Sequence, residues 1–226
     1  MGQYHMRCID LVQEVELVAG ADTSPGSRLS ALEFRGAVPF YDNHCELFES
    51  ESLDAVIVAT PNDTHADIVC DALAAGVHVL AEKPVASTLE GCNRIVDAAK
   101  CSGRVLQIGL ELRHAPIHIR MRELIEEGRI GVVRQLWCKE FRGPWMFKVE
   151  NWITQQSRSG GTFMEKNCHH FDLFNWSADA RPVRVAGFGC CDLVYGEEHF
   201  GIRPDVLDNA QAIIQFEGGA VATQMD

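Results

Sequence analysis

The sequence has none of the features of a membrane-spanning or secreted chain. No apolar run approaches the roughly 18 residues that a transmembrane helix needs, and the N-terminus has no signal-peptide pattern. The nine cysteines are an odd number, and they are scattered rather than spaced as metal ligands. These absences predict a cytoplasmic protein with reduced thiols, no disulfide framework and no membrane partner.

Positive charge is also scarce. The 226 residues include 20 Lys and Arg against 32 Asp and Glu, which gives a formal charge of -12 at pH 7. Because nucleic-acid binding draws on clustered basic residues, this balance argues against a nucleic-acid partner. Hydrophobic residues make up 46% of the chain and charged residues 23%, which is typical of a globular protein with a substantial core.

The first half of the chain alternates short apolar runs with helical patterns. The runs are typical of parallel strands that are buried on both faces. They lie at residues 15–21, 53–59, 78–81 and 105–109. Residues 64–75 and 87–102 have amphipathic helical spacing, and each stretch is followed by a glycine that can end a helix. This alternation predicts a doubly wound α/β domain, in which ligands bind at the carboxyl ends of the strands.

The pattern changes in the second half. A charged amphipathic helix over residues 117–127 leads into a strand-like stretch at 132–141, and a further helix is predicted over 162–177. More strands follow without alternating helices, which is typical of a mostly antiparallel sheet. We therefore predict a Rossmann-type domain over residues 1–114 and an α/β domain with an open sheet over residues 115–226.

The N-terminus predicts that a first strand is absent from the chain. A dinucleotide-binding domain begins with a strand, a G-x-G-x-x-G turn and a helix that faces the pyrophosphate. Here the helical pattern starts at once, and Asp22 lies twenty residues after Gly2, the spacing of an acidic ribose-binding residue. We interpret Gly2 as the last fingerprint glycine; the alternative is a complete domain with an unusual start. The last strand also stops soon after a turn at Gly218-Gly219, which predicts a cut at the C-terminus as well.

Polar residues follow the strands at the edge where a ligand is expected. Asp22 can accept hydrogen bonds from both hydroxyls of an adenosine ribose, or it is simply a turn or helix-cap residue. A carboxylate there favours NAD, although Ser27 and Arg28 nearby keep NADP open. Lys83, in the run Glu82-Lys83-Pro84, can stabilise an alkoxide or donate a proton to a carbonyl oxygen. Its alternative is a solvated surface lysine.

A second cluster lies between Gly160 and Asp172. On a continuous helix, Glu165, His169 and Asp172 would share one face. A histidine with a carboxylate one turn away is a suitable general base; the alternative is a polar face with a buried, hydrogen-bonded histidine. A metal site of Glu165, Cys168 and one of the two adjacent histidines is a further alternative. Since no second ligand group has suggestive spacing, no metal is predicted.

Four stretches in series carry a resemblance to a known family. They are Ala59-Thr60-Pro61-Asn62 with His65; residues 75–84, which end in Glu82-Lys83-Pro84; Gln107-Ile108-Gly109 with Arg113 and Pro116; and Gly160-Gly161 through Asp172. In this order they resemble the Gfo/Idh/MocA oxidoreductases, which include inositol and glucose dehydrogenases.

The resemblance implies oxidation of a sugar or polyol hydroxyl, inositol-like, with hydride passing to NAD or NADP. It maps the family's catalytic lysine, acid and histidine onto Lys83, Glu165 and His169. His169, oriented by Glu165, would remove the hydroxyl proton. The chain departs from the family in having Glu165 where Asp is usual and Asn167 where Gly is common. The resemblance also implies a homo-oligomer when the protein is full length, since family members often use the open sheet of the second domain for association.

With the family in view, we expect two groups of binding residues. Those expected at the cofactor are Gly2, Asp22, Thr60, Pro61, Asn62, His65, Glu82 and Lys83. Those expected at the substrate are Arg113, Trp152 and Asp172. Trp145 and Trp152 could stack on a sugar ring or could be packing residues. Two alternatives to a dehydrogenase stay open: a redox-neutral epimerase or eliminating glycosidase of the same fold, and a non-catalytic fragment.

Overall fold

The chain folds into two units. The computed structural model describes residues 1–35, 38–141, 143, 148–193 and 203–226. Unit 1 consists of residues 1–60 and 64–109, and unit 2 consists of residues 61–63 and 110–226. The main division between these compact units falls between residues 109 and 110. The domain boundary at residue 114 stays a prediction.

Unit 1 alternates helices and strands. Its helices are α1 (Gly2–Ile9), α2 (Pro25–Arg35), α3 (His44–Ser50), α4 (His65–Ala74) and α5 (Leu89–Ser102). Its strands are β1 (Gly20–Ala21), β2 (Phe40–Tyr41), β3 (Ala55–Val58), β4 (His78–Glu82) and β5 (Leu106–Gly109). Thr88 caps α5 by accepting a hydrogen bond from the N–H of Gly91.

All strand pairs of unit 1 are parallel. β1 pairs with β2, and β3, β4 and β5 form a second sheet in that order. The core lies where β3 and β4 meet α4 and α5, around Val58, Val79, Val69, Leu73 and Ile95. Parallel strands with helical crossovers confirm the predicted α/β architecture.

One strand prediction in unit 1 is wrong in length. Residues 15–21 were expected to form a strand, but only Gly20 and Ala21 pair, and they pair with β2. Val15 and Val18 are exposed. Among the described residues, no strand lies beside residues 15–19 to complete a ladder, so their apolar character does not produce a strand there.

Unit 2 combines helices with a four-stranded sheet. Its helices are α6 (Pro116–Glu126), α7 (Gln156–Ser159), α8 (Thr162–Glu165) and α9 (Cys168–Ala178). Its strands are β6 (Gln135–Lys139), β7 (Pro182–Cys190), β8 (Asn209–Phe216) and β9 (Val221–Met225). Short 3-10 helices lie at Asn62–Thr64, which begins in unit 2, and at Glu111–His114, Val149–Thr154 and Glu217–Gly219.

The sheet of unit 2 has the order β6-β9-β8-β7. β7, β8 and β9 pair antiparallel, whereas β6 and β9 pair parallel. The prediction of a mostly antiparallel sheet is therefore confirmed, with one parallel pair. The turn predicted at Gly218-Gly219 joins β8 to β9, and both glycines have positive φ.

The two faces of this sheet differ. One face packs on α9 through Phe174, Ile214 and Phe216. On the other face, Trp137 is 78% exposed, Ile213 53% and Phe188 84%. We call this second surface the open face, defined by these three residues.

The helix predicted over residues 162–177 is interrupted. α8 ends at Glu165 and α9 begins at Cys168. The N–H of Asn167 bonds to the carbonyl of Thr162, five residues back, rather than four. Regular i, i+4 spacing therefore does not run from Glu165 to His169, and the prediction of one continuous helix is wrong.

In the described part of the chain, no helix has both the length and the apolar character needed to cross a membrane. None of the nine cysteines, all of which lie in the described residues, forms a disulfide. None of them is fully buried, so they lie at the margins of the cores rather than inside them.

Candidate active site

Lys83 lies directly after β4, at the carboxyl end of the parallel sheet, as the sequence predicted. The peptide bond between Lys83 and Pro84 is cis. The N–H of Lys83 donates to Glu82 Oε2 at 3.3 Å. The lysine is half-buried, so its ammonium group is carried at the edge where a parallel sheet binds ligands.

Glu82 is buried and engaged by a histidine from α1. His5 Nε2 lies 2.7 Å from Glu82 Oε1. Burial by itself raises the pKa of Glu82. The hydrogen bond and charge of His5, together with the N–H and charge of Lys83, outweigh burial and hold the pKa below its ordinary value. A carboxylate is thus held next to Lys83.

His65 links the loops that follow β3 and β4. The ring is fully buried. Its Nδ1 lies 2.8 Å from the carbonyl oxygen of Pro84, and its Nε2 lies 3.1 Å from the carbonyl oxygen of Thr60. Thr64 Oγ1 also donates to Thr60 Oγ1 at 2.7 Å. These contacts hold the backbone beside Lys83, while the expected contact of His65 and Thr60 with the cofactor stays a prediction.

Asp22 follows β1 and is exposed. Its Oδ1 accepts a hydrogen bond of 2.8 Å from the N–H of Ser24, so the residue does form a local turn. Arg28 donates to the carbonyl oxygen of Asp22 and pairs with Asp42 at 2.8 Å. The positive charge of Arg28, which left NADP possible as the cofactor, is therefore paired with the carboxylate of Asp42.

Gly2 opens α1 and is exposed. A Cβ built on it would meet no atom within 4 Å. Within the described residues, nothing makes the close approach that a fingerprint glycine serves. Its part in cofactor binding stays a prediction.

Asn62 and Asp63 belong to unit 2. The buried amide of Asn62 donates to the carbonyl oxygen of Ser159 at 2.8 Å. Asp63 accepts from Arg158 Nε at 3.0 Å, and Arg158 also pairs with Glu150. Thr64 occupies the N-cap position of α4, while Asp63 pairs with Arg158. Pro61 and Asn62 remain predicted cofactor contacts.

Glu165 and His169 are both buried. The carboxylate of Glu111 faces Nε2 of His169, with its Oε1 3.3 Å away. Glu111 begins the 3-10 helix Glu111–His114, shortly after β5. The orientation of His169 by Glu165 stays a prediction, since the helix break removes the spacing argument for it.

Arg113 and Asp172, both expected at the substrate, are paired with each other. Two hydrogen bonds of 2.6 Å run from Nε and one terminal nitrogen of Arg113 to the two oxygens of Asp172. The hydrogen bond to Asp172 outweighs burial and raises the pKa of Arg113. The guanidinium group also lies 5.4 Å from the ring centroid of Trp176. The pair fastens the helix of Glu111 to α9.

His170 joins a second charged cluster in unit 2. Glu140 lies 3.4 Å from His170 Nε2 and 3.5 Å from Lys166 Nζ. Burial lowers the pKa of His170, and Lys166 adds to this, while Glu140 and Asp226 act in the opposite direction. The net pKa is below the ordinary value.

Two models of one family match the chain. Residues 1–110 match the oxidoreductase family with an NAD-binding Rossmann fold, and residues 118–224 match the GFO/IDH/MocA C-terminal domain. The chain belongs to the Gfo/Idh/MocA family. The resemblance drawn from the sequence motifs is confirmed, and residues 1–110 correspond to the family's NAD-binding Rossmann domain.

The chain spans less than two thirds of the length of each similar protein described next. Rhizopine catabolism protein MocA from Rhizobium meliloti is 30% identical over 82% of this chain and 57% of its own length. The scyllo-inositol 2-dehydrogenase (NAD(+)) from Bacillus subtilis (strain 168) is 27% identical over 97% of this chain and 62% of its own length. The crystal structure of an NAD-binding protein from Listeria innocua matches with a TM-score of 0.82 and 26% identity. That match covers 100% of this chain and 63% of the other.

The sequence analysis of this Gfo/Idh/MocA chain did not identify several ionisable residues that the structure places beside the predicted ones. They are His5, Glu111, Glu140, Arg158 and Lys166. The position of Glu111 in the sequence could have identified it, since Glu111 follows β5 much as Lys83 follows β4. Searching the end of every predicted strand for polar residues would have found it.

Trp152, predicted at the substrate, is half-buried in the 3-10 helix Val149–Thr154, and Trp145 lies outside the described residues. Among the described residues, the metal alternative of Glu165, Cys168 and a neighbouring histidine does not form a convergent ligand set. His44, Cys45 and Asp71 do bring three potential ligand atoms within 4.8 Å of one another, at a largely exposed position of unit 1.

Proposed function

We propose that this chain belongs to an NAD-dependent oxidoreductase that transfers hydride between a hydroxyl group of a sugar or polyol, inositol-like, and the cofactor. The observation that carries the proposal is the position of Lys83. Lys83 follows the carboxyl end of β4, next to the carboxylate of Glu82, which is bonded to His5. Both lie in the domain whose family is described as NAD-binding. A curated relative named for an inositol substrate supports the substrate class.

The residues of unit 1 fit the adenosine end of the cofactor. Asp22 presents an exposed carboxylate at the end of β1, where it would accept hydrogen bonds from ribose hydroxyls. The positive charge of Arg28 is paired with Asp42, which favours NAD over a cofactor with a 2′-phosphate. When bound, NAD supplies the hydride acceptor.

The proposed chemistry needs a base and a cation. His169 accepts the hydroxyl proton as the carbon loses hydride, and its buried position shields it from bulk water. Lys83 stabilises the substrate oxygen while negative charge develops on it. The balance is an alcohol and NAD converted to a ketone, NADH and one proton.

The substitution Lys83→Ala tests the assignment. We expect turnover to fall about 100-fold or more while the dissociation constant for NAD changes little, because the ammonium group acts on the reacting oxygen. NADH absorbance with a panel of inositols and sugars measures turnover, and NADH fluorescence measures binding. Lys100→Ala in α5 is the matched control, since Lys100 is exposed in the same unit. Unchanged turnover in Lys83→Ala would sink the assignment, and sugar conversion without NADH formation would favour the redox-neutral alternative.

We also propose that the protein is a cytoplasmic homo-oligomer that buries the open face against a second copy. Trp137 and Phe188 on that face are mostly exposed, and large exposed apolar patches mark association surfaces. Light scattering after size-exclusion chromatography should show an oligomer that Trp137→Glu with Phe188→Glu reduces to a monomer. A monomer before substitution would contradict this part of the proposal.

A further inference from the structure

The histidine proposed as the base has a carboxylate partner outside its own helix. Oε1 of Glu111 lies 3.3 Å from Nε2 of His169, and the two side chains differ in exposure, with 66% for Glu111 and 5% for His169. A buried imidazole thus meets a carboxylate that is open to water on its other side.

The backbone that carries Glu111 is fastened to the helix that carries His169. Arg113, two residues after Glu111, makes two hydrogen bonds of 2.6 Å to Asp172 on α9. A bidentate arginine–carboxylate pair restricts both distance and orientation. The stacking of Arg113 over Trp176, also on α9, adds a second point of attachment. The contact between Glu111 and His169 therefore lies between two elements that are held together independently of it.

We infer that Glu111 is the positioning carboxylate of His169, which orients Nε2 and stabilises the protonated ring, in place of the Glu165 that the helical spacing suggested. The pairing itself does not depend on the proposed function; only its use in proton removal does. A proton taken from the substrate hydroxyl would reside on His169 beside a carboxylate that is exposed to water.

The other charged groups around His169 are engaged elsewhere or lie on the broken helix. Arg113 and Asp172 neutralise each other, and Lys166 pairs with Glu140. Arg122, on α6, contacts the far end of α9 at the carbonyl of Trp176. Glu165 also lies near the start of α9, so it is the competitor that the experiment must separate from Glu111.

The experiment is an NMR titration of the His169 ring nitrogens in the full chain, without cofactor or substrate. We expect Glu111→Gln to lower the titration midpoint of His169 by roughly half a unit to one unit, because an exposed carboxylate is partly screened. Glu111→Asp, which keeps the charge, should recover part of that shift. Glu165→Gln should change the midpoint less than Glu111→Gln. Glu123→Gln, an exposed carboxylate on α6, is the matched control and should leave it unchanged.

The outcomes separate this inference from the proposed function. An unchanged midpoint in Glu111→Gln, or a larger shift in Glu165→Gln, overturns the pairing whether or not the chain oxidises a polyol. A shift in Glu111→Gln in a chain that lacks turnover supports the pairing and counts against the proposed function alone. Circular dichroism checks that the exposed substitution leaves the fold intact.

Discussion

The two units hold their candidate site residues by different means. In unit 1, His65 contacts the carbonyl oxygens of Thr60 and Pro84, and Asp22 accepts from a backbone N–H. In unit 2, the charged site residues pair with other side chains, as Arg113 does with Asp172, whereas the uncharged Asn62 bonds to a backbone carbonyl. Backbone contacts fix loop shape directly, whereas pairs of charges weaken with salt and with protonation. The site residues of unit 2 should therefore respond more to solution conditions, with the His5–Glu82 pair as the exception in unit 1.

The largest expected effect tests the backbone anchoring of unit 1. His65→Ala should lower the free energy of unfolding by about 2–4 kcal/mol, because it empties a fully buried site and leaves two carbonyl oxygens without their contact. Urea unfolding followed by circular dichroism measures the change. His44→Ala is the control, since its ring is partly exposed and its polar contacts are with the exposed Asp71 and Cys45, so the cost should stay below about 1 kcal/mol. Equal losses in the two variants would show that burial at residue 65 carries no special weight.

A smaller effect is expected for the charge pairing of unit 2. Arg113→Gln should cost about 1–2 kcal/mol, discounted because Arg113 is partly exposed while Asp172 is mostly buried. Amide hydrogen exchange should become faster in Glu111–His114 and in α9 and stay unchanged in α4 and α5. Arg120→Gln on α6 breaks only exposed pairs and is the control, with an expected cost below about 0.5 kcal/mol. Faster exchange throughout the chain would argue against a local role for the pair.

The smallest effect is a pH dependence that distinguishes the units. The pKa of His170 is lowered from 6.5 in the folded chain, so the unfolded chain binds more protons as the pH falls below 6.5. Stability should therefore decrease from that pH downward, until the folded pKa is passed. His170→Gln should flatten the curve of unfolding free energy against pH in this window. If the slope there is the same in His170→Gln, the titrating group lies elsewhere.

Glu82 should give the stability of unit 1 a separate pH dependence, at more acidic pH. Its pKa is lowered from 4.5, so its contribution to stability is present above that pH and is lost as the pH falls through the folded value. Exchange of amides near β4 should therefore rise at a lower pH than exchange near α9. The reverse order would contradict the contrast between the units.

The parts of the fold that could be predicted are those that depend on local pattern. β3 and β4 were predicted as short apolar runs, since a strand buried on both faces has few polar residues. The same rule placed Lys83 at a carboxyl end. The break at Lys166 and Asn167 could not be predicted, because both residues are acceptable inside a helix and the interruption depends on a bond to Thr162.

The pairing within the site was the least predictable part. Arg113 and Asp172 are 59 residues apart in sequence, and polar character alone gave no reason to expect them to bind each other. The same holds for Glu111 and His169. Candidate residues can be chosen by their position after strands, but long-range contacts decide whether a side chain faces a ligand or another side chain.

The membership of residues 61–63 in unit 2 has a consequence for dividing the protein. The chain crosses between the units around this segment and again after residue 109, so no single cut separates them. Expression of residues 110–226 alone would remove the Asn62 amide that donates to the Ser159 carbonyl, and Asp63, one of the two carboxylate partners of Arg158. Such a piece would lack the side chain that bonds to the carbonyl oxygen of the buried Ser159. The two units are therefore interleaved along the chain, and cutting them apart at one linker would separate residues 61–63 from the rest of unit 2.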